Sequence, residues 1–101
     1  MAVLFPSIHF QQNAGVGQGY FSSVPPTNTA TEVINTGRNP VSLVITSTLG
    51  IQIVVIQKGQ SYIAKLENTQ TIGLLANDGP ICGTLNIAVD VDGHFFGFGP
   101  V

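Results

Sequence analysis

From Ile81 to Val91 the chain alternates strictly. Ile81, Gly83, Leu85, Ile87, Val89 and Val91 fall on one side, and Cys82, Thr84, Asn86, Ala88 and Asp90 on the other. A period of two sustained over that length is a strand with one face on a core and one face in a less apolar setting. A strand cannot stand alone, so the remainder must provide partners. It reads as strands too. No stretch keeps apolar residues at i, i+3, i+4 and i+7 over three turns, and the chain is rich in Val, Ile and Thr between Gly, Pro and Asn punctuation. That is the pattern of an all-β sandwich or barrel.

The other strands follow from the same reading. Gly15 to Ser23 is Gly-rich and irregular, and Val24-Pro25-Pro26 breaks it. Ala30 to Asn35 is a strand that ends in the turn Thr36 to Pro40. Val41 to Thr48 turns Val41, Leu43 and Ile45 inward. Ser61 to Leu66 puts Tyr62, Ala64 and Leu66 on one face, and Thr71 to Ala76 follows. Lys58-Gly59-Gln60 and Asn77-Asp78-Gly79-Pro80 are turns. Seven or so strands fit a two-sheet jelly-roll. Ile51 to Gln57 is the exception to clean alternation. Ile51, Ile53 and Val55 share one face, but Val54 and Ile56 occupy the other. Apolar residues on both faces mean both are covered. Either a partner subunit covers the second face, with Val54 and Ile56 as its contacts, or the strand is central and lies under a loop.

Composition narrows what such a domain does. At 101 residues the chain is one domain. Charged residues make up 8% of it, against roughly 25% in an ordinary soluble domain. Three scattered cations, Arg38, Lys58 and Lys65, cannot neutralise a row of phosphates or dock on an anionic membrane, so neither nucleic acid nor membrane is an expected partner. No apolar run is long enough to span a bilayer. The N-terminus, Met1 to Pro6, lacks a charged leader region, and we expect synthesis without a signal peptide. A surface poor in charge has weak self-repulsion and favours association.

Catalytic and metal chemistry find little support. His9 and His94 have no carboxylate nearby in sequence, and no Gly-x-Ser-x-Gly is present. Asp90-Val91-Asp92-Gly93 opens like a calcium loop but is followed by His and Phe rather than further oxygen ligands. Gly15-Val16-Gly17-Gln18-Gly19 lacks the helix and spacing of a phosphate loop. We expect no enzyme, no cofactor and no metal. Cys82, the one cysteine, falls on the outer face of its strand and is a candidate crosslink between subunits.

The two ends differ from the middle. Residues 1–14 are apolar, with no turn signal that pairs them to a neighbouring strand, and read as a connector arm that docks through Val3, Leu4, Phe5, Ile8 and Phe10. Residues 15–91 form the sandwich. Residues 92–101 form an aromatic, Gly-rich tail. Such tails either bind neighbours or fold over the ends of their own sandwich.

The middle of the chain resembles a known family. The run Val54-Val55-Ile56-Gln57-Lys58-Gly59-Gln60-Ser61-Tyr62-Ile63-Ala64 is a strand, a Gly turn and a strand opened by an aromatic. Thr71-Ile72-Gly73-Leu74 and Cys82-Gly83-Thr84-Leu85-Asn86-Ile87 follow, with Glu32 to Gly37 and Val41 to Ile45 upstream. In this order they resemble the Ena-type subunits of Bacillus endospore appendage fibres, over roughly residues 30–90. The resemblance implies a jelly-roll-like β-sandwich with an extended N-terminal connector. It implies a homo-oligomeric helical fibre, outside the cell or on the spore surface, built by β-sheet augmentation and connector docking. A spore-surface anchor or tip protein would be a further partner. The chain departs from the better-known members in having no cysteine in residues 1–30, so its connector cannot crosslink through disulfides. Removal of residues 1–13 is expected to stop assembly and leave folding intact. The alternative reading is a small carbohydrate- or surface-binding sandwich with Phe95, Phe96 and Phe98 as its contacts; a phage or capsid jelly-roll is a third.

Overall fold

The computed structural model describes residues 2–90, with side chains described from Leu4 to Val89. Seven strands are present: β1 (Ala2–Leu4), β2 (Ile8–Gln12), β3 (Gly17–Asn35), β4 (Val41–Ser47), β5 (Gly50–Ile56), β6 (Ser61–Leu75) and β7 (Ile81–Asp90). All pairings are antiparallel, in the order β1-β7-β3-β6-β4-β5, with β2 also on β7.

One ladder becomes two layers because β3 and β6 are long and change neighbours halfway. The second half of β3, Asn28 to Asn35, pairs with β7, and Thr27 to Ile34 pairs with the first half of β6. The first half of β3 pairs with Thr71 to Leu75 of β6, whose other side carries β4. One layer therefore holds β1, β2, β7 and half of each long strand. The other holds the remaining halves with β4 and β5. Their inner faces form one core, in which Phe10, Val33, Leu85 and Ile87 meet Leu43, Ile45, Ile72 and Leu74. This is an all-β antiparallel sandwich, the class that the strand pattern implied.

The bend has a local cause. Ser22 lies opposite Thr71 and Thr27 opposite Thr69, so β3 carries three extra residues at this point. Pro25 and Pro26 fall within them and have no N–H to give a ladder. The expected break at Val24-Pro25-Pro26 is thus a bulge inside one 19-residue strand, not an end. On the facing strand Asn68 has a φ of 52°, a conformation that Asn tolerates better than most residues. Its N–H donates to Asn28 Oδ1 at 3.1 Å, tying the two bends together.

The N-terminal segment departs from expectation. Ile8–Gln12 is not a free arm: it pairs with Leu85–Ile81 of the same chain. Phe10 is buried among the core residues and Ile8 packs at their margin. Phe10 lies directly opposite Gly83 and its ring fills the space a side chain would take; a Cβ on Gly83 would overlap the Phe10 ring and the Ile34 carbonyl oxygen. Gln12 is also buried, and every polar atom of its side chain is used. Its Nε2 donates to the carbonyls of Val16 (2.8 Å) and Leu74 (3.1 Å), and its Oε1 accepts from the Tyr20 hydroxyl (2.7 Å). Burial raises the pKa of that hydroxyl above its ordinary value. The pairing escaped the sequence reading because the partner of β2 is at the far end of the chain. No local turn announces it.

Two stability predictions follow from this packing. Phe10→Ala should lower the unfolding free energy by about 3–5 kcal/mol, the range for emptying a buried aromatic site. Gly83→Ala should cost about 1–3 kcal/mol through overpacking. Urea unfolding of each variant checks both; a midpoint equal to the parent's in Phe10→Ala would mean that β2 does not belong to the core. By the same logic removal of residues 1–13 should impair folding itself, contrary to the expectation from the sequence.

Candidate functional site

A β-sheet edge exposes unused N–H and C=O groups, and a monomeric protein ordinarily guards it with charge, proline, bulges or brevity. Among the described residues, three of the four edges are guarded. The first half of β6 carries Lys65 and Glu67. The first half of β3 has a register shift between Gly19 and Phe21 and runs into the prolines. The β1–β2 edge is interrupted at Phe5-Pro6-Ser7.

The fourth edge, β5, has none of these devices. Among the described residues it pairs with β4 alone, without a register shift, from Val41↔Ile56 to Ser47↔Gly50. Its sequence, Gly-Ile-Gln-Ile-Val-Val-Ile, contains no charge and no proline. The register also decides which residues face out. Val54 and Ile56 lie opposite Leu43 and Val41, both fully buried, so they point into the core; Ile56 is itself buried and Val54 packs against the cluster. Residues opposite one another share a face. Val54 and Ile56 are therefore not the subunit contacts expected from sequence. The outward set is Ile51, Ile53 and Val55, exposed by 72%, 61% and 54%, with Leu49 at the hairpin tip exposed by 97%. The sequence showed that both faces of this strand are apolar. It could not say which one the chain itself covers, because that depends on the parity of pairing with β4.

A second apolar surface lies on the outer face of the other layer. Ala30 pairs with Ala88, and Glu32 with both Asn86 and Ile63. The small alanines form the floor of a groove of about 390 Å³, with Leu4, Phe5, Ser7 and Ile63 around it. Leu4 and Ile63 are exposed by about 70%. Asn86 Nδ2 donates to Glu32 Oε1 at 2.9 Å, and Ser7 donates to Asn86 Oδ1. The Phe5 N–H donates to the Ile87 carbonyl, and its ring centroid is 6.1 Å from that of Phe21.

Reactive groups are dispersed. His9 is exposed and its Nδ1 is 3.3 Å from Thr84 Oγ1, with no carboxylate in the pair. Cys82 is an exposed free thiol, as its strand parity implied, beside Thr36 and Gly37. Among the described residues no three His, Cys, Asp or Glu side chains gather as a metal site. His94, Phe95, Phe96, Phe98 and Asp92 lie outside the described residues, as does the side chain of Val3.

No family model and no curated protein matches the chain. Solved structures do. One, described as "Bacillus endospore appendages form a novel family of disulfide-linked pili", superposes with a TM-score of 0.65 at 16% identity, over 87% of this chain and 85% of that one. Another, described as "Crystal structure of PirA", gives a TM-score of 0.60 at 18% identity, over 83% of this chain and 93% of that one. At these identities the likeness is one of fold: the chain shares its all-β sandwich with an endospore appendage pilus subunit along nearly its whole length.

Proposed function

We propose that this chain is a structural, non-enzymatic subunit that polymerises by β-sheet augmentation into a fibre outside the cell or on the spore surface. The observation that carries the reading is the β5 edge. It is regular, uncharged and lined by outward Ile51, Ile53 and Val55. A strand of that kind on a monomer is a template for aggregation; on a fibre subunit it is a joint. The fold shared with an appendage pilus subunit supports the same reading.

Two β5 edges joined across a two-fold would close as a dimer, so fibre growth requires β5 to pair with one of the other edges of the next copy; that head-to-tail contact does not close on itself and grows as a filament. The unmatched edge at a fibre end is then what an anchor or tip protein would cap. Because β1 pairs with β7 of the same chain, contacts from the N-terminal segment to a neighbouring subunit fall to the exposed side chains of Leu4 and Phe5. Ile8 and Phe10 serve their own subunit.

The single thiol limits the covalent options. If all subunits of a polar helix are equivalent, a bond from each to the next needs two sulfurs per subunit. Cys82 is the only cysteine. It can join pairs of subunits across a two-fold contact, but not a fibre along its length. The proposed shaft is therefore not held together by a continuous chain of disulfides.

Negative-stain electron microscopy tests the proposal. The purified chain should form filaments, and Ile53→Lys should abolish them while leaving circular dichroism unchanged, because that side chain is exposed. Monodisperse particles from the parent chain would overturn the fibre reading. Separately, dithiothreitol should leave filament length unaltered; dissolution by reductant would show that thiols hold the shaft.

A further inference from the structure

The two uncovered apolar surfaces belong to different layers and share no residue. On β5 the outward side chains form a ridge: Leu49, Ile51, Ile53 and Val55. On the opposite layer Ala30 and Ala88 leave a hollow between Leu4 and Ile63. One is convex and the other concave. Neither is covered by any of the described residues.

Charge distinguishes them further. Glu32 is half-buried at the groove, and its one described bond comes from neutral Asn86. Lys65 borders the groove, opposite Ala30. The ridge has no charge of its own, but the β5–β6 turn just beyond it presents exposed Lys58. The spacing of each charge from its apolar centre is comparable. Glu32 is two residues along a strand from Ala30, about 7 Å. Lys58 is three residues beyond Val55, at most about 10 Å, with a flexible side chain to adjust the difference.

We infer that the groove receives the β5 ridge of a second copy of this chain, with Ile53 and Val55 over Ala30 and Ala88 and Lys58 against Glu32. This rests on the fibre reading and adds a specific contact to it. The augmented edge joins subunits in the plane of the sheet through backbone groups. The ridge projects perpendicular to that plane and is free to meet a different neighbour. Because ridge and groove are distinct patches, the contact is heterologous and repeats without closing. Desolvation at its centre makes an unpaired or like-charged Glu32–Lys58 contact costly. The pair thereby fixes register as well as strength.

A charge-exchange experiment tests this. Glu32→Lys and Lys58→Glu are each made alone and together, and assembly is followed by light scattering and electron microscopy with circular dichroism as the folding control. Each single variant should fold and should raise the concentration needed for assembly by at least about tenfold. The double variant should bring it back toward the parent value. If the singles assemble like the parent, or the double is as weak as the singles, the ridge does not meet the groove and the inference is overturned. Both results are distinct from a parent chain that forms no filaments, which would remove the fibre reading itself.

Discussion

The pairing of β7 is what the rest of the structure depends on. This strand is flanked on one side by the second half of β3 and on the other by β1 and β2. Its inner face, Ile81, Leu85 and Ile87, is fully buried. Through Gly83 it accommodates Phe10, and through that ring the N-terminus is fixed into the core. With both its sides occupied, the first layer ends at the guarded edges of β1–β2 and β6. The sandwich is then left with one smooth, open edge, at β5. The edge on which the proposed assembly rests thus stands out because the other edges are closed or spoiled.

Low charge has a structural meaning in this setting. Most ordinary domains place lysines and glutamates on their edges and outer faces. Here four of the ionic groups lie on the edges and surfaces described above. Lys65 and Glu67 lie on the first half of β6, Glu32 sits in the groove, and Lys58 follows the ridge. Buried side chains such as Gln12, Thr29 and Asn35 are satisfied by hydrogen bonds instead of ions, whereas the buried Thr31 hydroxyl has no partner among the described residues. Asn35, almost wholly buried, donates from Nδ2 to the Asn39 and Ile56 carbonyls and accepts at Oδ1 from the Gly37 N–H. It fixes the β3–β4 turn to the end of β5 without introducing a charge that the interior would have to solvate.

Much of the fold was legible in the sequence, and the limits have physical causes. β4 and β7 announced themselves because period-two alternation is a local signal, and β5 because its apolar run ends at the Lys58-Gly59-Gln60 turn. β3 and β6 read as broken strands, since Pro25-Pro26 and Asn68 are genuine irregularities. That each bridges two layers is a tertiary fact. The N-terminal strand was missed because its partner is more than sixty residues away, and a non-local pairing leaves no mark on nearby residues. For the site, the outward position of Cys82 followed from parity alone. The choice between Val54/Ile56 and Ile51/Ile53/Val55 did not, because both sets are apolar and only the register with Val41 and Leu43 separates them.

Hydrogen exchange tests the central claim, that β5 is the joint. Amides of Gly50 to Ile56 that point away from β4 have no partner strand among the described residues, and they should exchange fast when subunits are dispersed. In filaments the same amides should become protected to the level of those that bond β4. Fast exchange along β5 within intact filaments would contradict the account, because it would show the fibre growing through some other surface while its one unguarded edge stayed in water.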